Sequence, residues 1–123
     1  MEGRRLAELP LEPPQRRRVQ AYHHMRAALD VRLAPGDPAF KQALLTEGVN
    51  ALLEGDIDTG KAVLRDYINA TIGFEALAAA TGTPAKSLMR MFGPGGNPTA
   101  GNLFAVIGCL QTASGVTLEV RAA

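Results

Sequence analysis

Lys86 and Arg90 are the only charged side chains between Ala76 and Leu118. Both lie in the short apolar segment 84–92, and no carboxylate accompanies them there. A surface that carries cations and no acids is what contact with phosphates needs. Elsewhere the chain offers little chemistry. His23 and His24 are adjacent, so on a helix they point apart, and no Cys or acid stands at a metal-ligand spacing from them. They read as solvated histidines. Cys109 is the single cysteine and sits in the apolar run Leu103–Leu110, which makes it a small core residue and excludes an internal disulfide. No Ser/His/Asp, Cys/His or paired-carboxylate arrangement stands out. The expectation is a protein with no catalytic residues, no metal and no cofactor.

The stretch Gly55-Asp56-Ile57-Asp58-Thr59-Gly60-Lys61 imitates three sites and satisfies none. It fits a GxxxxGK phosphate loop, but Ala62 replaces the Ser/Thr that would hold Mg²⁺, and Asp56 and Asp58 would repel phosphates. As a calcium loop it lacks the bidentate Glu, having Tyr67 at the twelfth position. Asp58-Thr59-Gly60 spells the aspartic-protease triplet without the strands that triplet needs. A capped turn between helices accounts for all of it.

The elements that must position Lys86 and Arg90 are short. Two apolar segments, 75–81 and 84–92, are joined by Thr81-Gly82-Thr83. Gly82 can take the positive φ that ends the first helix, Thr83 can cap the second and Pro84 can start it. A glycine-rich turn follows. Thr99 then caps a helix over 100–113, with Leu103, Phe104, Val106, Ile107 and Leu110 on its core face. This is the layout of a helix-turn-helix, in which the second short helix enters the DNA major groove.

Upstream, Val19, Tyr22, Met25, Leu29 and Leu33 recur at helical spacing from Gln15 to the break at Ala34-Pro35-Gly36. Asp37-Pro38 opens a helix carrying Phe40, Leu44, Leu45, Val49, Leu52 and Leu53, closed by Gly55. Asp58 or Thr59 caps another, with Ala62, Val63, Tyr67, Ile68 and Thr71 on its inner face. At the C-terminus Val116, Leu118 and Val120 alternate with polar residues, as in a short strand. The fold expected is all-α: five helices in a repressor-like domain, an extra N-terminal helix and a short C-terminal strand. Residues 1–36 form a basic arm and helix, and 37–123 the helix-turn-helix domain.

Composition agrees with a soluble helical protein of 123 residues, 46% hydrophobic and 20% charged, without Trp. The net charge of +1 hides an uneven distribution. Residues 1–36 hold seven Arg against four acids, and 37–72 hold three bases against six acids. Arg16-Arg17-Arg18 could meet DNA or an acidic partner, although such runs are usually solvated. No run approaches the roughly 20 apolar residues of a membrane span, and no secretory leader is visible. The expected location is the cytoplasm, away from membranes.

From Phe74 to Leu118 the chain resembles the Cro/repressor-type helix-turn-helix family, and within it the antidote (antitoxin) subunits of addiction modules. The resemblance rests on Leu77-Ala78, Gly82, Ser87-Leu88, Arg90, Gly96-Asn97-Pro98-Thr99, Leu103 and Val106, and it covers residues 59 to about 120. It implies base reading by Ala85, Lys86 and Arg90. It implies contact with the DNA backbone by Phe74, Ser87, Gly95, Gly96, Asn97 and Thr99. Leu88, Met91 and Phe92 would face inward, while Met89 could face either way. Family members often carry Gln where this chain has Phe74, so contact at that position falls to backbone N–H groups. With Ala at 85 as well, polar base readout is thin and DNA shape gains weight.

The partners implied are double-stranded DNA and a small basic toxin protein, met by the acidic segment around Asp56, Asp58 and Asp66. A homodimer is expected because one module has a small footprint and two half-sites are the usual remedy. Its contacts would be the strand Val116–Val120 or the N-terminal helix around Tyr22 and Leu29. The alternatives are a repressor without a toxin partner and a helical packing module that binds no DNA.

Overall fold

The computed structural model describes residues 38–122, which form five helices and, among those residues, no strand. They are α1 (Pro38–Leu53), α2 (Ile57–Ala70), α3 (Phe74–Thr81), α4 (Ala85–Met91) and α5 (Ala100–Ser114). The all-α expectation holds. The basic arm over 1–36 and the helix expected from Gln15 to Leu33 lie outside the described residues.

Pairing of α1 with α2 is the most extensive contact between helices, and small residues permit it. Gly48 faces Leu64 and Val63, and Gly60 faces Leu52, so the two backbones approach where a larger side chain would hold them apart. Phe40, Leu44 and Leu45 from α1 meet Val63, Leu64, Tyr67 and Ile68 from α2. Phe74 and Leu77 from α3, Leu88 from α4, Phe92 after it, and Val106, Ile107 and Leu110 from α5 complete one continuous core. The N-cap of α2 is Asp56, two or three residues earlier than the sequence suggested. Its carboxylate reaches Thr59, three positions ahead, as a capping side chain must.

Several expectations about the core need correction. Phe104 was placed on the core face of α5 but is 65% exposed, and Leu53 is 61% exposed. Val106, Ile107 and Leu110 set the inner line of α5, and each residue turns the helix by about 100°, so position 104 swings to the flank. Leu53 falls on the opposite side of α1 from Leu44 and Ala51 for the same reason. Cys109 is half-buried, not a fully enclosed core residue.

The C-terminal strand is also corrected. Residues 116–122 leave α5 at Gly115 and run on without joining a ladder. A strand needs a neighbour's main chain to pair with, and none of the described residues supplies one. Instead the N–H of Leu118 donates to Gln111 Oε1 at 2.7 Å, which ties the tail back to α5.

Candidate nucleic-acid interface

The turn between α3 and α4 follows from three residues. Gly82 adopts φ 74°, in the left-handed region, and its N–H donates to Ala78 O at 2.9 Å to close α3. The Thr81 hydroxyl donates to Leu77 O at 2.8 Å and accepts from Thr83 N–H at 3.4 Å, fixing the exit of the chain. Pro84 is the N-cap of α4, and its carbonyl accepts from Leu88 N–H at 3.0 Å. Thr83 was expected to cap this helix and Pro84 to be its first residue; both roles shift by one position. Proline has no N–H to donate, yet its carbonyl serves the first helical bond well.

Leu88 and Phe92 stand four residues apart and are both buried, so they fix which side of α4 faces the core. The opposite side presents Lys86, Met89 and Arg90, all exposed and at the i, i+3, i+4 spacing of one helix face. Ala85 and Ser87 are half-buried at the flanks of this face. Met89, 48% exposed, thus belongs with the two cations. Its face could be read from the sequence only once Leu88 and Phe92 were known to be the anchors.

After α4 the loop Gly93–Pro98 folds back beneath the end of the helix. Gly96 lies so close to it that a Cβ there would collide with the carbonyl oxygens of Arg90 and Met91. Its N–H donates to Gly93 O at 3.0 Å. Gly95, Asn97 and Thr99 are exposed, and Gly96 is half-buried. The Thr99 hydroxyl caps α5 by accepting from Asn102 N–H at 3.2 Å, leaving Ala100, Gly101 and Asn102 at the surface. Phe74 is buried and belongs to the core, so its side chain takes no part in this surface. Two exposed acids border this surface: Glu75, in the first turn of α3, complements the helix dipole there, and Asp58 lies beside Phe92, Gly93 and Pro94.

Two side chains with long-range partners escaped the sequence reading. Lys61, only 4% exposed, donates to Gly96 O at 2.7 Å and to Gly93 O at 3.0 Å. One turn further along α2, Arg65 Nη1 donates to Phe92 O at 3.2 Å. Their acceptors are 27 to 35 residues distant, and no local pattern in a sequence marks such a pairing. The imitation phosphate loop therefore ends in a lysine whose partners are main-chain carbonyls.

The acidic segment is smaller at the surface than its composition suggests. Asp56 is buried and occupied with Thr59, so it does not face a partner; Asp66 is half-buried, and Asp58 is exposed. Among the described residues no group of three or more His, Cys, Asp or Glu could hold a metal ion. Nor is any helix among them long and apolar enough to cross a membrane. A separate apolar groove lies between α1, α5 and the tail, where Leu53, Phe104, Ile107, Leu118 and Val120 line it. It shares no residue with α3 or α4.

No protein-family model matches the chain, and no curated protein or solved structure is detectably similar to it.

Proposed function

We propose that α3, the turn Gly82–Pro84 and α4 work as a helix-turn-helix, and that the protein is a sequence-specific DNA-binding regulator of transcription. One observation carries this reading: Lys86, Met89 and Arg90 share the exposed face of α4 while Leu88 and Phe92 lock its other face into the core. In the major groove Arg90 and Lys86 would donate to guanine O6 and N7, and Met89 would meet a thymine methyl group. Ala85 adds a small apolar contact. Ser87, the main chain at Phe74 and Gly95, Gly96, Asn97 and Thr99 would meet phosphates and set the register. The protein would act as a homodimer on two half-sites, with no catalysis and no cofactor.

The test is selection of a duplex from a random pool by the full chain, followed by titration of variants at matched salt. Arg90→Ala should cost about 1–3 kcal/mol at the preferred site and relax the base preference there. Equal binding by Arg90→Ala and the parent would show that α4 does not dock as described. If no duplex is retained at all, the helices are a packing module.

The resemblance to antidote subunits adds a toxin partner, so that one chain would both neutralise a small basic protein and repress its own operon. Exposed Asp58 and half-buried Asp66 on α2 are the acids that such a basic partner would meet. Co-expression with the product of the neighbouring gene decides it. Two proteins that neither co-purify nor alter growth would leave a stand-alone repressor.

A further inference from the structure

We propose that Lys61 and Arg65 are positioning residues for DNA recognition: from α2, they hold the C-terminal end of α4 and the loop after it in the pose that DNA meets. The inference rests on the DNA-binding reading and adds to it two side chains from α2, outside the helix-turn-helix itself.

The geometry is that of a clamp. The last carbonyls of a helix have no acceptor role inside it, and cations near them are favoured both by hydrogen bonding and by the helix dipole. Here Arg65 takes Phe92 O, directly after α4, and Lys61 takes Gly93 O and Gly96 O. Gly93 O accepts twice, from Lys61 Nζ and from Gly96 N–H, each at 3.0 Å. Gly96 can lie there only because it has no side chain to strike Arg90 and Met91. A lysine is rarely enclosed unless every proton is used, and bonds from an ammonium to a carbonyl are among the stronger ones. Two carbonyls account for most of that demand, and the carboxylate of Asp58 stands 3.9 Å away.

What the clamp fixes is the part of the surface that faces phosphate. Gly95 and Asn97 flank Gly96, and Arg90 sits two residues before Phe92. α4 has seven residues, too few to hold its own geometry without tertiary support. A loop rich in glycine has the most conformational freedom to lose when it is ordered against DNA. Lys61 and Arg65 remove that freedom before DNA arrives, so the bound pose is already present in the free protein.

The experiment compares the full chain with Lys61→Met and Arg65→Gln, using two readouts. The first is amide hydrogen exchange without DNA. The clamp predicts exchange at Phe92, Gly93 and Gly96 faster by about tenfold or more, with the amides of α1 unchanged, since only a local opening is relieved. The second is binding to the selected duplex over a range of salt concentrations. Affinity should fall about tenfold, towards the lower end of what loss of a base contact costs, while the salt slope stays that of the parent. Unchanged exchange at 92–96 overturns the clamp, and a slope lowered by about one overturns it too, because the residue would then touch phosphate. Should Lys61→Met fail to fold, Arg65→Gln, which removes only the half-exposed arm, decides the matter on the same two readouts. If the parent retains no duplex, the DNA reading fails by itself, and the exchange data still show whether the clamp exists.

Discussion

Asp56 and Thr59 close the first turn of α2 between them: one carboxylate oxygen of Asp56 accepts the Thr59 N–H at 3.3 Å and the other accepts its hydroxyl at 2.8 Å. Both side chains are buried, so neither bond is shared with solvent in an open turn. Asp56→Ala should cost about 1–2 kcal/mol of stability, the upper part of the range for an N-cap. Asp56→Asn, which keeps one acceptor, should recover part of that. Denaturant melts of the three proteins check the order, and an Ala variant as stable as the parent would remove the cap from the account.

Tyr67 is fully enclosed, yet its hydroxyl has no hydrogen-bond partner among the described residues. Burying an unpaired hydroxyl is unfavourable, so the ring rather than the oxygen holds this position. Tyr67→Phe should be neutral or stabilising by up to about 1 kcal/mol, whereas Tyr67→Ala should lose about 3–5 kcal/mol through the cavity it leaves. A Phe variant that melts well below the parent would show that the hydroxyl does have a partner in solution.

Two glycines bracket α4 for different reasons, and substitution separates them. Gly82 has open space around the position of a Cβ and needs glycine only for its φ of 74°. Gly82→Ala should therefore fold and cost about 1–2 kcal/mol, the penalty for a left-handed residue. Gly96 has no such φ, but its Cβ would strike the main chain of α4. Gly96→Ala must displace the loop, so it should lose more stability than Gly82→Ala and also free the loop from Lys61. Equal melting of the two variants would contradict the close approach.

These glycines also show what a sequence can and cannot reveal. Gly82 is legible because its role is local: it stands between two short apolar segments, followed by Thr-Pro. The five helices α1 to α5 are legible from their apolar segments, and Thr99 is the cap of α5 as expected, whereas the caps of α2 and α4 fall at Asp56 and Pro84 instead of the residues expected. Gly96 stands out in the sequence only through the family resemblance, as a contact to the DNA backbone, and its close approach to α4 is made by folding the chain back. Lys61 escapes the sequence for a related cause: a buried lysine is explained by acceptors 32 and 35 residues away. Phe104 failed differently. An apolar residue at the edge of a helical stripe satisfies the periodicity, and only the neighbours decide whether the edge is covered.

Phe104 carries the last prediction. It is 65% exposed on α5, beside Leu53 and the equally open Val120, which is 76% exposed. Next to them the tail alternates Val116, Leu118 and Val120 but joins no ladder with the described residues. A second copy related by a two-fold axis would supply what is missing, pairing tail with tail and covering both Phe104 rings. We expect the parent to be a dimer by light scattering at tens of micromolar, and Phe104→Glu to be a folded monomer, since Phe104 adds little to its own core; its melt should be lower than the parent's only by the stability that dimerisation adds. The monomer should bind a single half-site far more weakly than the dimer binds two. A parent that scatters as a monomer, or a Phe104→Glu variant that stays dimeric, would place the interface elsewhere.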